Sequence, residues 1–437
     1  MAGSIAVVVV FASAFAWVVS AASRAPKDER AILWAAFVLH ALSVVALIVV
    51  TAGFYGSGDI DMYGFFGGIL AQLIWDDPAK YAGEVFALLL QRDADLPIVV
   101  VGAGSSTGTM SALAGLLMAL LGGSFAAVNG LLGWVALAAK LRLYRTLRTA
   151  VPESLRRRAL ACCLLIPSVA FWSAGIVKES IAMTALCLLL SGASAVAARR
   201  FVAGILRLVP SVVALALVRP FAILCLAAAG AAWFYARRSV IRRGKLTVRP
   251  GYLVLSGVLT AASVVVFGEL FPQFALESMA DQLASRQETW ELTAGGSAYQ
   301  IVDAPERSLA GQLAYAPVAL LSAVFRPVIF EVKNIMMLVN AIETTALTWL
   351  FVRSIVQGGA VRWWRAVSSS PLAVFCGVFV IVFGVGVGLA TANLGSLSRY
   401  RMPLLPFFAL FAMVGGGERP GRNLDLAASA RMIRGAR

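Results

Sequence analysis

The sequence predicts an all-α, polytopic membrane protein, and three observations lead there. Of its 437 residues, 60% are hydrophobic and only 14% charged, where a soluble chain of this length carries far more charge. The mean hydropathy is +0.86, and apolar runs of about 16 to 24 residues recur, the length that crosses a bilayer core. These runs are unbroken, unlike barrel strands, which alternate over about ten residues. The chain is therefore read as a single integral membrane domain over 1–437, with about eleven crossings plus interfacial or re-entrant helices.

The formal net charge of +15 would suggest nucleic acid in a soluble protein. Here the Lys and Arg residues cluster between apolar runs, where they set orientation, and no nucleic-acid-reading motif accompanies them. The five cysteines all fall inside apolar runs, without partners at metal spacing. The single histidine, His40, lies within the second run and reads as a packed core residue. A metal site built from His and Cys is excluded.

The first run, 4–22, lacks a basic start and reads as a span rather than a signal sequence. It ends at the basic turn 24–30, which the positive-inside rule makes cytoplasmic, so the N-terminus is expected outside. The second run, 31–53, returns outward into a long acidic outer segment, about 54–107. Its apolar patches 65–75 and 85–90 are too short to span and are expected to lie at the interface. Asp76-Asp77-Pro78 reads as a turn.

Two short apolar stretches, 108–121 and 124–139, meet at Gly122-Gly123. They end at Lys140, Arg142, Arg145, Arg148 and Arg156-Arg157-Arg158, expected in the cytoplasm. A span from about residue 160 then rises to Lys178-Glu179, 181–198 descends, 202–218 rises to Arg219-Pro220, and 221–236 descends. Next, 252–271 rises into a second outer segment, 272–308, with a turn at Gly295-Gly296-Ser297. The run 309–325 is expected as a dipping or interfacial helix before Arg326-Pro327. Residues 328–352 descend, 372–390 rise, and 402–414 descend to a basic cytoplasmic tail, about 416–437.

This topology gathers the candidate site residues on the outer face. Lys178-Glu179 are the only charges in a stretch, 167–180, set between two apolar runs, and a charge beside hydrocarbon marks a site unless it reaches an interface or a partner. Arg219 and Arg326 each precede a proline at a helix break, where freed backbone needs polar company. The planar guanidinium suits bidentate phosphate binding, so these cations with Lys178, Arg399 and Arg401 suit a lipid-linked phosphate or diphosphate. Singly, each reads equally as a snorkelling interfacial charge. Asp59 and Asp61 open the first outer segment. A half-buried carboxylate there suits a general base toward a sugar hydroxyl, or an oxygen ligand for Mg²⁺ or Mn²⁺. The plain alternatives are a solvated acidic loop or a helix cap at Asp59. Glu331 follows Arg326-Pro327 at pairing distance in sequence, and Glu343 lies deeper in the next span.

Four motifs carry a resemblance: Gly58-Asp59-Ile60-Asp61-Met62-Tyr63; Pro167-Ser168 through Phe171-Trp172-Ser173 to Lys178-Glu179; Phe325-Arg326-Pro327 with Glu331; and Asn393-Leu394-Gly395 leading to Arg399-Tyr400-Arg401-Met402-Pro403. With them the chain resembles bacterial surface-polysaccharide polymerases and GT-C-like integral membrane glycosyltransferases. The resemblance implies transfer of a sugar from a polyprenyl-phosphate or polyprenyl-diphosphate carrier at the periplasmic face of the bacterial inner membrane, in exopolysaccharide or O-antigen biosynthesis. It implies Asp59 and Asp61 as base or metal ligands, and Arg219, Arg326, Arg399 and Arg401 at the phosphates. Lys178 joins that cationic set from its position, with Glu179, Glu331, Asn393 and Tyr400 as supporting residues. Two features depart from those families: no large soluble C-terminal outer domain is present, and long paired Arg-rich outer loops are not evident. A flippase or transporter of the same lipid-linked saccharides is the competing reading. A non-catalytic partner of a polysaccharide-assembly machine is the third.

Overall fold

The structure, a computed structural model, describes residues 2–51, 53, 58–243, 309–391 and 393–415. The described part is helical, without extended strands. Seven of its helices are long and apolar enough to cross a membrane. The protein is thus an all-α, polytopic membrane protein. The span expected at 252–271, the outer segment 272–308 and the tail lie outside the described residues. The chain forms two compact units, Met1–Ile223 and Leu224–Arg437.

In the first unit, α1 (Ala2–Ser23) and α2 (Lys27–Val50) form a hairpin whose turn carries the expected basic residues. Asp28 and Glu29 sit in the first turn of α2, where they complement the helix dipole. The outer segment, expected to hold short interfacial helices at 65–75 and 85–90, contains α3 (Asp59–Asp76) and α4 (Pro78–Leu89), and α5 (Ser106–Leu120) follows at its end. Asp77 makes the expected turn and caps α4, its carboxylate accepting from Lys80 N at 3.1 Å. The apolar patch 65–75 belongs to an 18-residue helix. What extends it is close packing on α5, where a Cβ on Gly67 would stand 2.7 Å from Ala114 Cβ.

Gly122 and Gly123, at φ +62° and +76°, make the turn into α6 (Phe125–Leu147). Two short helices were expected across 108–139. The first is α5, with 15 residues, but α6 with the 3₁₀ turn after it forms one 26-residue span, Phe125–Ala150. This corrects the placement of Lys140 in the cytoplasmic basic run: it lies inside α6 and is wholly buried. Periodicity explains the difference, because Leu141 and Tyr144 continue the buried face of Leu137 beyond Ala139.

The rising span expected from residue 160 is also corrected. It is broken into α7 (Arg156–Leu164) and α8 (Pro167–Trp172), then an irregular stretch at 173–177. Pro167 cannot continue α7, and the residue before a proline leaves helical geometry. The helix resumes as α9 (Lys178–Ala197), which turns back into α10 (Phe201–Val218). Those two helices pack closely: a Cβ on Gly192 would meet Gly204 O at 3.0 Å.

Contacts fix the directions in this unit. Asn129 near the start of α6 bonds Ile176 just before α9, and Arg142 near the end of α6 bonds Ser191 near the end of α9, so α6 and α9 run parallel. Val44 of α2 packs by Gly133, and Glu29 bonds Tyr144, so α2 runs opposite. The bundle has one end at Lys178 and another at Glu29, separated by about 22 Å, the rise of α6 from Asn129, beside Ile176, to Tyr144, beside Glu29.

The second unit holds α11 (Phe221–Arg243, whose first residues belong to the first unit), α12 (Leu309–Phe325), α13 (Ile335–Gly358), α14 (Ala360–Ser369), α15 (Pro371–Ala390), α16 (Leu394–Tyr400) and α17 (Leu405–Gly415). The span expected at 328–352 begins later, because Asn334 caps α13 by accepting from Met337 N at 2.9 Å. Gly388 of α15 lets α12 approach, since a Cβ there would collide with the Ala319 carbonyl.

Candidate functional site

The break at 173–177 organises the Lys178 end of the first unit. Backbone without helical bonds survives at membrane depth only where protein or a wet cavity satisfies it. Here Asn129 Oδ1 accepts from Ile176 N at 2.9 Å, and Ser180 Oγ donates to Ser173 O at 3.1 Å. Ser173 Oγ donates back to Val169 O at 2.6 Å. Gly175 is required beside Asn129, since a Cβ would collide with its Oδ1.

Several expected site residues gather around that break. Ile176 and Val177 share a buried apolar cluster with Ile60 and Tyr63 of α3 and Val218 of α10. Asp59 and Asp61, Lys178 and Glu179, and Arg219 are their immediate chain neighbours. Glu179 is buried and forms an ion pair with the Arg219 guanidinium. Lys178 Nζ donates to Thr107 Oγ1 at 3.0 Å. Asp61 is half-buried, and its Oδ2 is shut from solvent without a hydrogen-bond partner among the described residues.

Asp59 is not the helix cap; Gly58 holds that position in extended backbone, and Asp59 is the exposed first helical residue. Residues two apart on a helix point to different sides, so Asp59 and Asp61 do not fit a shared Mg²⁺ or Mn²⁺. Among the described residues, no cluster of three or more His, Cys, Asp or Glu residues could hold a metal ion.

The remaining candidates belong to the second unit. Arg326 pairs with Glu331, its Nε donating to Glu331 Oε1 at 2.6 Å, while Val328 N donates to Oε2 at 2.9 Å. Burial raises the pKa of the Glu331 carboxyl, but these bonds outweigh it and hold the group below the usual carboxylate value. Arg401, expected at the phosphates, is wholly buried. Its guanidinium donates to Thr344 Oγ1 at 2.6 Å and to the Arg326 carbonyl. It ties α16 to α12 and α13, and those donors are not presented to a ligand. Asn393 caps α16, accepting from Gly395 N and Ser396 N at 2.8 and 3.2 Å. Arg399 and Tyr400 are half-buried in the last turn of α16.

Sequence reasoning missed Asn129, Thr107 and Lys140. Lys140 Nζ donates to Ser173 Oγ at 2.7 Å, tying α6 to the break. The unbroken buried periodicity of α6 was the signal that could have found it. No protein-family model, curated protein or solved structure matches this chain.

Proposed function

We propose that the chain is a membrane glycosyltransferase or polysaccharide polymerase. Its donor is a polyprenyl-phosphate- or diphosphate-linked sugar, used at the periplasmic face of a bacterial inner membrane in surface-polysaccharide assembly. The observation that carries this reading is Asp61 Oδ2, buried without a hydrogen-bond partner among the described residues, on the turn of α3 whose Ile60 and Met62 share an apolar cluster with the chain neighbours of Lys178, Glu179 and Arg219. A carboxylate oxygen in that position can take the proton of an acceptor hydroxyl as its oxygen attacks the anomeric carbon. The bond from that carbon to the carrier phosphate breaks, and the released phosphate keeps the electron pair. Lys178 and Arg219 supply positive charge where that negative charge develops, and Glu179 orients Arg219.

Transfer assayed with purified protein and a polyprenyl-linked donor tests the reading. Asp61→Asn lowers the rate by at least about 100-fold, the usual worth of a general base, while membrane insertion is unchanged. Wild-type transfer in that variant defeats the proposal.

A flippase or transporter of lipid-linked saccharides is the second reading, and Lys140 favours it. A wholly buried cation inside a span is the kind of residue that marks a translocation path. Lipid-linked sugar movement across proteoliposomes, without sugar transfer and abolished in Lys140→Met, selects that reading over the first.

A further inference from the structure

Away from the Lys178 end, the first unit carries a second charged hollow with a different composition. A cavity of about 380 Å³ lies between α1, α6, α9 and α10, with Trp17, Trp134 and Leu188 on its walls and Arg142, Arg145 and Arg207 around it. Arg142 Nε and Arg207 Nη1 both donate to the hydroxyl of Ser191, at 3.2 and 3.4 Å. Two guanidiniums thus converge on one uncharged group, and Arg145 lies one helical turn from Arg142. None of the three has a carboxylate partner among the described residues. The indole N–H of Trp134 is buried in the same wall and has no acceptor among the described residues. Three cations and an orphaned donor call for an anion with several acceptor oxygens.

The surroundings select the form of that anion. On α10, Val202, Leu206 and Val209 stand exposed next to Arg207, at 75%, 70% and 56%. An apolar exposed face on a membrane-crossing helix is a surface for acyl chains. The arginines lie towards the Glu29 end, which the bias of Lys and Arg assigns to the cytoplasmic side. Basic hollows between spans on that side suit anionic lipid headgroups, and arginine suits their phosphate oxygens.

We propose that this hollow binds the phosphate headgroup of an anionic phospholipid, held by Arg142, Arg145, Arg207 and the Trp134 N–H, with its acyl chains along α10. The site is separate from the Asp61 cluster and does not depend on the activity proposed there.

Lipid binding to the full-length protein, measured by native mass spectrometry and confirmed by thermal shift, tests the assignment. The probes are phosphatidylglycerol, phosphatidylcholine, undecaprenyl phosphate and inorganic phosphate. Saturable phosphatidylglycerol binding, absent with phosphatidylcholine and weakened at least tenfold by Arg142→Gln with Arg207→Gln, supports the site. Should that double variant fail to fold, Trp134→Phe keeps the aromatic wall and removes only the N–H, and a threefold or larger loss is expected. Unchanged phosphatidylglycerol binding in a folded variant overturns the proposal. Tighter binding of undecaprenyl phosphate that Arg142→Gln with Arg207→Gln weakens overturns the choice of a phospholipid, and displacement of phosphatidylglycerol by micromolar inorganic phosphate overturns the role of the chains.

Discussion

The two charged regions of the first unit differ in what balances them. At the Lys178 end, Arg219 meets a buried carboxylate, Glu179, and Asp61 lies between Ile60 and Met62, which share an apolar cluster with Val177 and Val218. Around the cavity between α1, α6, α9 and α10, Arg142 and Arg207 meet only the Ser191 hydroxyl among the described residues. A paired guanidinium is part of the scaffold and can be aimed by its partner. One that lacks a counter-charge keeps its field for something outside the chain. The number of arginines near a membrane therefore says little until their carboxylates are located.

Removing the acid is the most direct test of this contrast. Glu179→Gln leaves the largely buried Arg219 without its counter-charge, and breaking such a pair costs about 3 kcal/mol. Thermal unfolding of the purified protein should show that loss, while the conservative variant Glu179→Asp, which keeps the charge on a shorter side chain, should lose less. An unchanged melting temperature in Glu179→Gln would mean that Arg219 is not held by Glu179.

A smaller effect of opposite sign is expected at Lys140, which is buried with Ser173 and no carboxylate partner among the described residues. Lys140→Met replaces an uncompensated buried cation by an apolar chain of similar length, and a gain of about 1 kcal/mol follows. Destabilisation in the same assay would show that the bond to Ser173 outweighs the burial of charge.

The smallest effect extends the comparison to the second unit, where Arg326–Glu331 is also acid-balanced but partly open to solvent. The Glu331 carboxyl is held below its ordinary value of 4.5. Its contribution is therefore complete above that value and is lost as pH falls through the lower folded-state value. Solvent screening limits it to about 0.5 kcal/mol. The difference in stability between wild type and Glu331→Gln should disappear in acid; a difference that grows there would reverse the assignment.

Much of the bundle was legible in the sequence because hydrocarbon imposes length and apolarity on any helix that crosses it. That constraint placed α1, α2, α10 and α15 to within a few residues, and the twin glycines Gly122-Gly123 marked a turn. It could not distinguish an unbroken span from a broken one. The run before Lys178 is apolar throughout, yet Pro167 and the bond from Ile176 N to Asn129 hold it open.

Composition and the spacing of apolar runs were enough to establish a helical membrane protein and to show which residues bear charge beside those runs. Which of the charges are engaged was decided by packing. Arg401 looks in the sequence like Arg219 or Arg142, but it is buried among Thr344 and the Arg326 carbonyl from distant parts of the chain. Lys140 looked like a surface cation until α6 carried it inside. Burial and pairing depend on which helices meet, and each such contact joins positions far apart in the chain, where local composition holds no record of the partner.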